Sequence, residues 1–419
     1  MSDKRIGVYA DWSPDQEPMH LGLLDTRAGR TGEIFEFTFS KDALDDPHLA
    51  RQQLDPDIGL FAGPQYPRNV RRQFGIFADS SPDRWGRRLI DRNFARRRRA
   101  GDLPANARLR ESDYLLGVHD AFRSGALRFK LDNAGAFLAA ELPVAAPPFV
   151  RIRELEAASR ALESDAEDDP GLDEQLRVLL VPGASLGGAR PKASVSDRDG
   201  NLWIAKFPSV NDRHDTGAWE YVLHELASRC GICVPAAEAR RFGGAAHTFL
   251  VRRFDRSEAG TRIHFASAMT LTGHIDGESA SYLEIADVLA SQGAETGKDL
   301  LELWTRIVFN IMTSNTDDHL RNHGFLLTPH GWKISPAYDM NPNPESLGLS
   351  LDIDDSDNAL HLDLARAVAP YFRVRDAEAL RIIVRLREAM AGWREIAVKL
   401  GITGGEQDAM APAFQAAQI

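Results

Sequence analysis

The sequence has little of what marks a secreted, membrane-spanning or repetitive protein. It has 2 cysteines in 419 residues, a number that fits a reducing compartment. No apolar run approaches the length of a bilayer-spanning helix, and there is no internal repeat and no low-complexity tract. The first residues contain no apolar segment of the signal-peptide type. We therefore expect a cytoplasmic protein that contacts no membrane.

Composition places the chain among ordinary globular proteins. Hydrophobic residues make up 43% and charged residues 26% of the sequence, which argues against disorder. The formal net charge of −11 would repel nucleic acid unless a local basic face overrides it. An arginine-rich run at 92–99 lacks the fold signature of a nucleic-acid-binding module. A solvated helix end is the commoner outcome for such a run, and a nucleic-acid contact stays open.

The first hundred residues alternate short strands with turns. Alternating apolar residues predict three strands, at residues 5–10, 19–24 and 34–39. Ser80 or Ser81, followed by proline, predicts the start of a helix that carries Trp85 on its apolar side. An Ala- and Pro-rich stretch at 136–148 interrupts this pattern, and we place a domain boundary there.

The strongest chemical signal is the polar cluster SNTDDHLRNH at 314–323. It follows a helix with buried-type spacing and precedes a short apolar run. Asp317 and Asn322 form the pattern D-x-x-x-x-N, and Asp339 lies seventeen positions after Asn322. Kinases use such a set, with one Asp as base and the Asn and second Asp on Mg²⁺. A helix cap with a polar loop is the structural alternative. The flanking helix and strand favour the kinase interpretation.

A kinase also needs a phosphate-covering loop and a lysine. The segment GASLGGARPK at 183–192 is a Gly-rich loop, although it is not a Walker A motif. A β-hairpin is predicted after this loop. On the second strand of that hairpin, Lys206 shares a face with apolar residues, and we expect this face to point inward. Its anionic partner would be ATP phosphate or a helix glutamate, Glu220 first and Glu225 second. A lysine that reaches solvent from an edge strand is the alternative.

Two further motifs belong to other chemistries. The segment GASLG at 183–187 fits the G-x-S-x-G nucleophile elbow of serine hydrolases around Ser185, and residues 177–181 before it could form the required strand. No helix is expected immediately after it, so this function is remote. Cys230 and Cys233 spell C-x-x-C, but at the end of a helix rather than its start, so we expect two structural cysteines.

Taken together, the motifs SLGGARPKA, IAKFP, VRRFDR, NTDDHLRNHGFLL and SPAYDMNP resemble those of the HipA toxin kinases, over nearly the whole chain. The resemblance implies an α+β, two-lobed protein-kinase-like fold with an N-terminal mixed subdomain and a mainly helical C-terminal lobe. We predict three domains: an N-terminal subdomain at 1–147, a small lobe with Gly-rich loop, hairpin and hinge at 148–260, and a helical lobe with the catalytic and metal-binding loops at 261–419.

The resemblance also implies roles for individual residues. Asp317 is the expected catalytic base, supported by Lys206 and Glu220, and Asn322 and Asp339 are the expected Mg²⁺ ligands. Ser185 matches a serine that such kinases phosphorylate in themselves. The expected nucleotide-binding residues are Gly187, Gly188, Ala189, Arg190, Pro191, Lys192, Lys206, the hinge residues Arg252, Arg253 and Phe254, and His319, Leu320, Arg321, Asn322, Tyr338 and Asp339.

By the same resemblance, we expect a serine/threonine protein kinase of a toxin–antitoxin pair. Its substrate would be a protein, often a tRNA synthetase in this family. A helix-turn-helix antitoxin is the expected partner, through which alone the protein would meet DNA. A small-molecule kinase and a non-catalytic kinase-fold regulator remain alternatives, because the core motifs would look alike.

Overall fold

The structure is a computed structural model that describes residues 3–13, 16–30, 32–68, 71–131, 135–138, 146–164, 173–183 and 188–417. It divides into two compact units. Unit 1 comprises Met1–Asn211, Phe242–Gly244 and Leu250–Ala266, and unit 2 comprises Asp212–Arg241, Ala245–Phe249 and Ser267–Ile419. The small lobe predicted at 148–260 is divided between the two units, because residues 212–241 and 245–249 belong to unit 2, and the boundary predicted after 147 lies inside unit 1. The division into three domains stays a prediction.

Strands and helices alternate irregularly along the chain. The strands are β1 (Lys4–Ala10), β2 (Met19–Ala28), β3 (Glu33–Phe39), β4 (Leu127–Lys130), β5 (Lys192–Ser196), β6 (Leu202–Lys206), β7 (Ala237–Arg240), β8 (Thr248–Arg252), β9 (Phe265–Ser267), β10 (Gly324–Thr328) and β11 (Gly331–Ile334). The helices are α1 (Lys41–Leu44), α2 (Gly75–Asp79), α3 (Arg84–Arg99), α4 (Glu111–Leu116), α5 (Ile152–Ser164), α6 (Asp173–Gly183), α7 (Thr216–Arg229), α8 (Ala268–Thr272), α9 (Tyr282–Gln292), α10 (Thr296–Thr313), α11 (Leu362–Val368), α12 (Asp376–Met390), α13 (Trp393–Lys399) and α14 (Gly404–Met410).

Unit 1 begins with an antiparallel sheet in the order β3-β2-β1-β4. The three strands predicted from alternating residues are therefore confirmed. Alternate residues of these strands are buried, and Phe37 packs edge-on against Phe77 with ring centroids 5.7 Å apart. Phe77 in turn contacts Phe129 of β4. Aromatic side chains on the core-facing side thus hold this sheet together.

The helix predicted from Ser80 or Ser81 begins later, at Arg84, with Asp83 at its N-cap. The reason is that both serine hydroxyls are used by the preceding helix. The Ser80 hydroxyl donates to the Ile76 carbonyl and the Ser81 hydroxyl to the Phe77 carbonyl. The serines therefore lie at the end of α2 rather than at the start of α3, although Trp85 is buried as expected.

A second core in unit 1 lies beneath the β5–β6 hairpin. Helices α3, α5 and α6 supply its apolar side chains on one side, and β5, β6 and β8 supply those on the other. Residues 177–181 lie within α6, and Leu179 of that helix is fully buried in this core. The strand that a serine hydrolase elbow requires before Ser185 is therefore absent, and that alternative loses its structural support.

Unit 2 is mainly helical. Its longest helix, α10, is buried along most of its length, and the Trp304 indole N–H donates to the Ala365 carbonyl at 2.8 Å. The hairpin β10–β11 follows α10 after one loop. Towards the chain end, Trp393 stacks on Phe414 with ring centroids 4.5 Å apart. Within the part of the chain that the structure describes, no helix has the length and apolar character required to cross a bilayer.

Candidate active site

The D-x-x-x-x-N motif lies on the loop between α10 and β10, as the sequence predicts. Helix α10 ends at Thr313 because Ser314 adopts a left-handed conformation, with φ of 45°. The chain then turns sharply, and Asp317 follows as an exposed residue between buried neighbours. A carboxylate in that position can accept a proton from an incoming hydroxyl group.

Asn322 lies on a short 3-10 turn five residues after Asp317. Its side-chain amide nitrogen donates to the Asp317 carbonyl at 3.0 Å, and its backbone N–H donates to the His319 carbonyl at 2.8 Å. These bonds fix the orientation of the amide and direct its oxygen away from the Asp317 backbone. An amide oxygen is a ligand type that Mg²⁺ accepts, so Asn322 fits its predicted role.

Asp339 follows β11 in an unusual backbone conformation, with φ of 59°. Such left-handed residues are uncommon outside glycine, and they persist where their surroundings fix them. Two neighbours are fixed by hydrogen bonds. The Tyr338 hydroxyl donates to the Arg321 carbonyl at 2.7 Å, and the Asn341 N–H donates to the Asn315 side-chain oxygen at 2.9 Å. The predicted metal ligand therefore lies in a constrained segment tied to the loop of Asp317.

Asp318 is the centre of a buried polar network behind this loop. It is 4% exposed, and one of its carboxylate oxygens accepts hydrogen bonds from Tyr282 of α9, Asn310 of α10 and His323. Burial alone would raise the pKa of Asp318. The attraction of His323 and the hydrogen bonds from His323 and Tyr282 outweigh burial and hold that pKa below its usual value. Asp318 therefore stays ionised inside the fold.

A pocket of about 140 Å³ adjoins the loop on the side of His319, Leu320 and Arg321. Asp276 lies on its wall and forms an ion pair with Arg321 at 3.0 Å. The pocket is smaller than a typical small-molecule site. Three of the predicted nucleotide residues are thus grouped around one concave surface of unit 2.

In unit 1, the register of the β5–β6 hairpin places Lys192 directly opposite Lys206. Both lysines are buried, at 3% and 8% exposure, and opposed residues lie on the same face of a hairpin. The Lys192 ammonium also approaches Gly188, since a Cβ there would stand 2.5 Å from it. The hairpin thus presents two ammonium groups on one face beside the end of the Gly-rich loop, and the Asp83 carboxylate lies near the same point, 3.9 Å from that Cβ position.

The face of β6 that carries Lys206 is not the core face, contrary to expectation. Leu202 and Ile204 are only half-buried, whereas Trp203 and Ala205 pack into the core. The two-residue period is right, but the inward direction is wrong, because the helices beneath the hairpin cover its other side. Lys206 is nevertheless buried, so the edge-lysine alternative that reaches solvent is wrong as well.

The end of the Gly-rich loop is attached to α3. The Trp85 N–H donates to the Gly188 carbonyl at 3.2 Å, and the Trp85 indole N–H donates to the Lys192 carbonyl at 3.0 Å. Gly188 itself has φ of 90°, a conformation that favours glycine.

The next three residues of the loop differ in exposure and bonding. Ala189 is exposed and Arg190 is half-buried, and the Pro191 carbonyl accepts a hydrogen bond from the Phe207 N–H at 2.9 Å.

The hinge residues differ from one another in what they can offer a nucleotide. The Arg253 guanidinium is buried against Asp255 and the carbonyls of Phe122 and Arg123, and the Arg253 N–H donates to the Leu202 carbonyl. Its donors are therefore committed to the structure of unit 1. Arg252 donates to the Asn201 side chain at 2.9 Å. An adenine contact at this stretch stays a prediction that depends on backbone atoms.

Several predicted residues are not brought together within one unit. Lys206 belongs to unit 1, whereas Glu220 is a buried residue of α7 in unit 2, so their ion pair stays a prediction. Glu225, the second choice, pairs instead with Arg229 at 3.0 Å. Ser185 and Gly187 lie outside the described residues.

Burial fits the structural role expected of Cys230, whereas that of Cys233 stays a prediction. Cys230 is buried at the C-terminal end of α7, Cys233 is exposed, and both are free thiols. Burial raises the pKa of Cys230 to about 12, which leaves it protonated and unreactive near neutral pH.

Comparison with known proteins decides the family. A family model described as the HipA-like C-terminal domain matches residues 184–393, half of the chain. The chain belongs to the HipA family. The HipA of Shewanella oneidensis MR-1, solved in a toxin–antitoxin complex with HipB and operator DNA, matches with a TM-score of 0.66 over 98% of this chain and 95% of that one. At 15% identity, this similarity confirms the HipA-like α+β fold.

Curated relatives of this HipA-family chain include Y4dM and Y4mE of Sinorhizobium fredii, both named as candidate kinases. Y4dM is 28% identical over 223 residues, which cover 45% of this chain and 53% of Y4dM. Y4mE is 26% identical over 181 residues, which cover 37% of this chain and 41% of Y4mE. The chain thus spans about half the length of the curated relatives it matches.

The sequence did not point to the residues that hold the HipA-family loop in place. These residues are Tyr282, Asp318 and His323, together with Asn310 and Asn315. The side chains of Asn310 and Asn315 are hydrogen-bonded to each other at 3.0 Å. A usable signal was Asn310, a polar residue between the apolar residues Phe309 and Ile311 of the buried helix α10, because a buried polar side chain needs a partner.

Proposed function

We propose that this protein is an ATP- and Mg²⁺-dependent kinase that transfers the γ-phosphoryl group to a serine or threonine of a protein. The observation that carries the proposal is the loop of unit 2, in which exposed Asp317 precedes Asn322 and the Asn322 amide is fixed on the Asp317 carbonyl. The constrained conformation of Asp339 supports it. Membership of the HipA family and similarity to candidate kinases agree with it.

In this proposal Asp317 is the general base. The acceptor hydroxyl gives its proton to the Asp317 carboxylate while its oxygen bonds to the γ-phosphorus. The bond between that phosphorus and the β–γ bridging oxygen breaks, and ADP leaves. Of the two adjacent carboxylates, Asp317 is exposed and Asp318 is buried beneath three hydrogen-bond donors. Only Asp317 is therefore open to an incoming hydroxyl.

The other residues bind and orient the nucleotide. Asn322 and Asp339 would hold Mg²⁺, which neutralises phosphate charge when bound. Lys192 and Lys206, opposed on the hairpin, supply positive charge to the phosphates, and Glu220 orients Lys206. Their contribution is mostly correct positioning, because phosphoryl transfer needs little covalent help from the protein.

Regulation by Ser185 is part of the proposal. Phosphorylation adds close to two negative charges, and on the Gly-rich loop they would repel the ATP phosphates. The chain would phosphorylate this serine itself and so silence its nucleotide binding. Peptide mapping after incubation with ATP–Mg²⁺ should find phosphate on Ser185, together with loss of ATP binding. A Ser185 phosphoform that binds ATP normally would exclude the switch.

We further propose that the chain is the toxin of a toxin–antitoxin pair. The HipA of Shewanella oneidensis was solved with HipB and operator DNA, which supports an antitoxin partner. By the family resemblance, that partner would be a helix-turn-helix protein through which this chain meets DNA. A tRNA synthetase is the protein substrate that the family resemblance suggests.

The deciding experiment follows the γ-phosphate of labelled ATP with wild-type protein and Asp317→Asn. We expect ADP release and label in acid-precipitable protein for the wild type. Asp317→Asn should keep its ATP affinity and lose transfer by about 10²–10⁴-fold, the range for loss of a general base. Label in soluble small molecules would favour a small-molecule kinase. Absence of turnover in the wild type would favour a non-catalytic regulator.

A further inference from the structure

A series of buried side-chain hydrogen bonds connects the loop of Asp317 to the segment of Asp339 in unit 2. It runs from Asp318 to Asn310, from Asn310 to Asn315, and from Asn315 to the backbone of Asn341. We propose that Asn315 is a positioning residue that couples the loop of Asp317 to the segment of Asp339. This inference rests on the proposed kinase function, because it concerns the same two carboxylates.

Asn315 is suited to this task by its two unlike polar groups. Its amide nitrogen donates to the Asn310 side-chain oxygen at 3.0 Å, and its amide oxygen accepts the Asn341 N–H at 2.9 Å. Its backbone N–H donates to the Asn310 carbonyl at 3.0 Å, and the residue is 1% exposed. A carboxylate offers no donor and an alkyl group offers neither, whereas the Asn315 amide carries a donor and an acceptor on one planar group and so satisfies both sides.

The position of Asn315 explains why the coupling matters for chemistry. It stands two residues before Asp317, and its acceptor bond ends two residues after Asp339. At the other end of this series of hydrogen bonds, Asn310 donates to Asp318, which directly follows Asp317 in the sequence. Both functional carboxylates are therefore flanked by atoms of one buried network. A displacement of about 1 Å at a reacting group can lower the rate on the order of 100-fold.

A second connection makes the link between the loops stronger. The Asn343 N–H donates to the Ser314 carbonyl at 2.9 Å, and its side chain donates to the Thr316 hydroxyl at 3.1 Å. These bonds keep the two segments adjacent when Asn315 is changed. Loss of the Asn315 amide should therefore alter the placement of Asp339 without separating the segments, which makes an effect on chemistry distinguishable from unfolding.

The test compares Asn315→Ala and Asn315→Asp with wild type and with Gln407→Ala. Gln407 is a matched control, because it is a buried amide of unit 2, 5% exposed, that donates to the Ile402 carbonyl and lies on α14. Four quantities are measured: kcat, the Mg²⁺ concentration at half-maximal rate, binding of a Mn²⁺–nonhydrolysable-ATP complex, and Tm. The binding measurement requires no turnover.

We expect Asn315→Ala to lower kcat on the order of 100-fold and to weaken Mn²⁺–nucleotide binding, with a Tm loss no greater than that of Gln407→Ala. Asn315→Asp keeps the acceptor for Asn341 and should retain more metal–nucleotide affinity than Asn315→Ala. The coupling is wrong if Asn315→Ala matches wild type in Mn²⁺–nucleotide binding and in kcat. It is also wrong if Asn315→Ala loses no more binding and rate than Gln407→Ala does for a comparable loss of Tm. Absence of turnover and nucleotide binding in the wild type would instead overturn the proposed function, and this inference with it.

Discussion

The two chemistry-bearing regions of this protein hold their side chains in different ways. Lys192 and Lys206 are opposed because main-chain pairing sets the register of the β5–β6 hairpin. Asp317 lies on an irregular loop whose shape depends on side chains, chiefly Asp318 and Asn315. A hairpin tolerates the loss of one side chain, because its hydrogen bonds come from the backbone. The loop also has backbone bonds, such as that from Asn343 to Ser314, but side chains set much of its shape, so changes there should spread to neighbouring functional groups.

Asp339→Asn should give the largest change in affinity, because it removes the proposed charged metal ligand from the constrained segment of the loop region. We expect Mg²⁺-dependent ATP binding to weaken on the order of 100-fold while Tm stays near that of wild type. Titration of ATP with and without Mg²⁺ measures the effect. Asp408→Asn is the matched control, since its carboxylate is 76% exposed and pairs with Arg394. Equal Mg²⁺–ATP affinity in Asp339→Asn and wild type would remove Asp339 from the metal site.

The hairpin region predicts a smaller and purely local effect. Lys206→Ala should weaken ATP binding about tenfold, equivalent to about 1.4 kcal/mol, and more than Lys192→Ala does. This order follows from the proposed pairing with Glu220, which would orient Lys206 towards the phosphates. Arg198→Ala, at the exposed turn of the hairpin, controls for the loss of a nearby positive charge. The reverse order of the two lysine variants in a titration would transfer the role to Lys192.

Stability against acid should give the smallest effect and tests the loop region without any activity. The folded-state pKa of Asp318 lies below its usual value, so its stabilising contribution is present above about pH 4 and is lost as the pH falls through the folded-state pKa. Asp318→Asn should lower the free energy of unfolding by about 1–3 kcal/mol at pH 7, because three buried donors lose their charged acceptor.

The difference between Asp318→Asn and wild type should shrink as the pH falls below about 4. Urea unfolding at a series of pH values measures it, and Asp363→Asn, an exposed carboxylate at 90% exposure, serves as control. A difference that stays constant down to the lowest pH would show that ionisation of Asp318 is not what stabilises the loop.

Much of the candidate site could be predicted because its signals are local. Asp317 and Asn322 are five residues apart, and the apolar spacing of α10 and the short strand after the motif place them on a loop. The hairpin before Lys206 could be predicted from its turn residues alone. The direction of Lys206 could not, because the helices that define the core face come from distant parts of unit 1.

The sequence by itself determined the loop that carries Asp317, the hairpin that carries Lys206, the family and the chemical types present in the candidate site. The tertiary structure decided which neighbours hold those residues. Asp318 depends on Tyr282, thirty-six residues away, and Asn315 on Asn341, twenty-six residues away. A side-chain hydrogen bond depends on distance and direction in space, and neither leaves a periodic trace in the sequence. Local patterns therefore predicted the reacting groups, whereas only the fold identified the residues that position them.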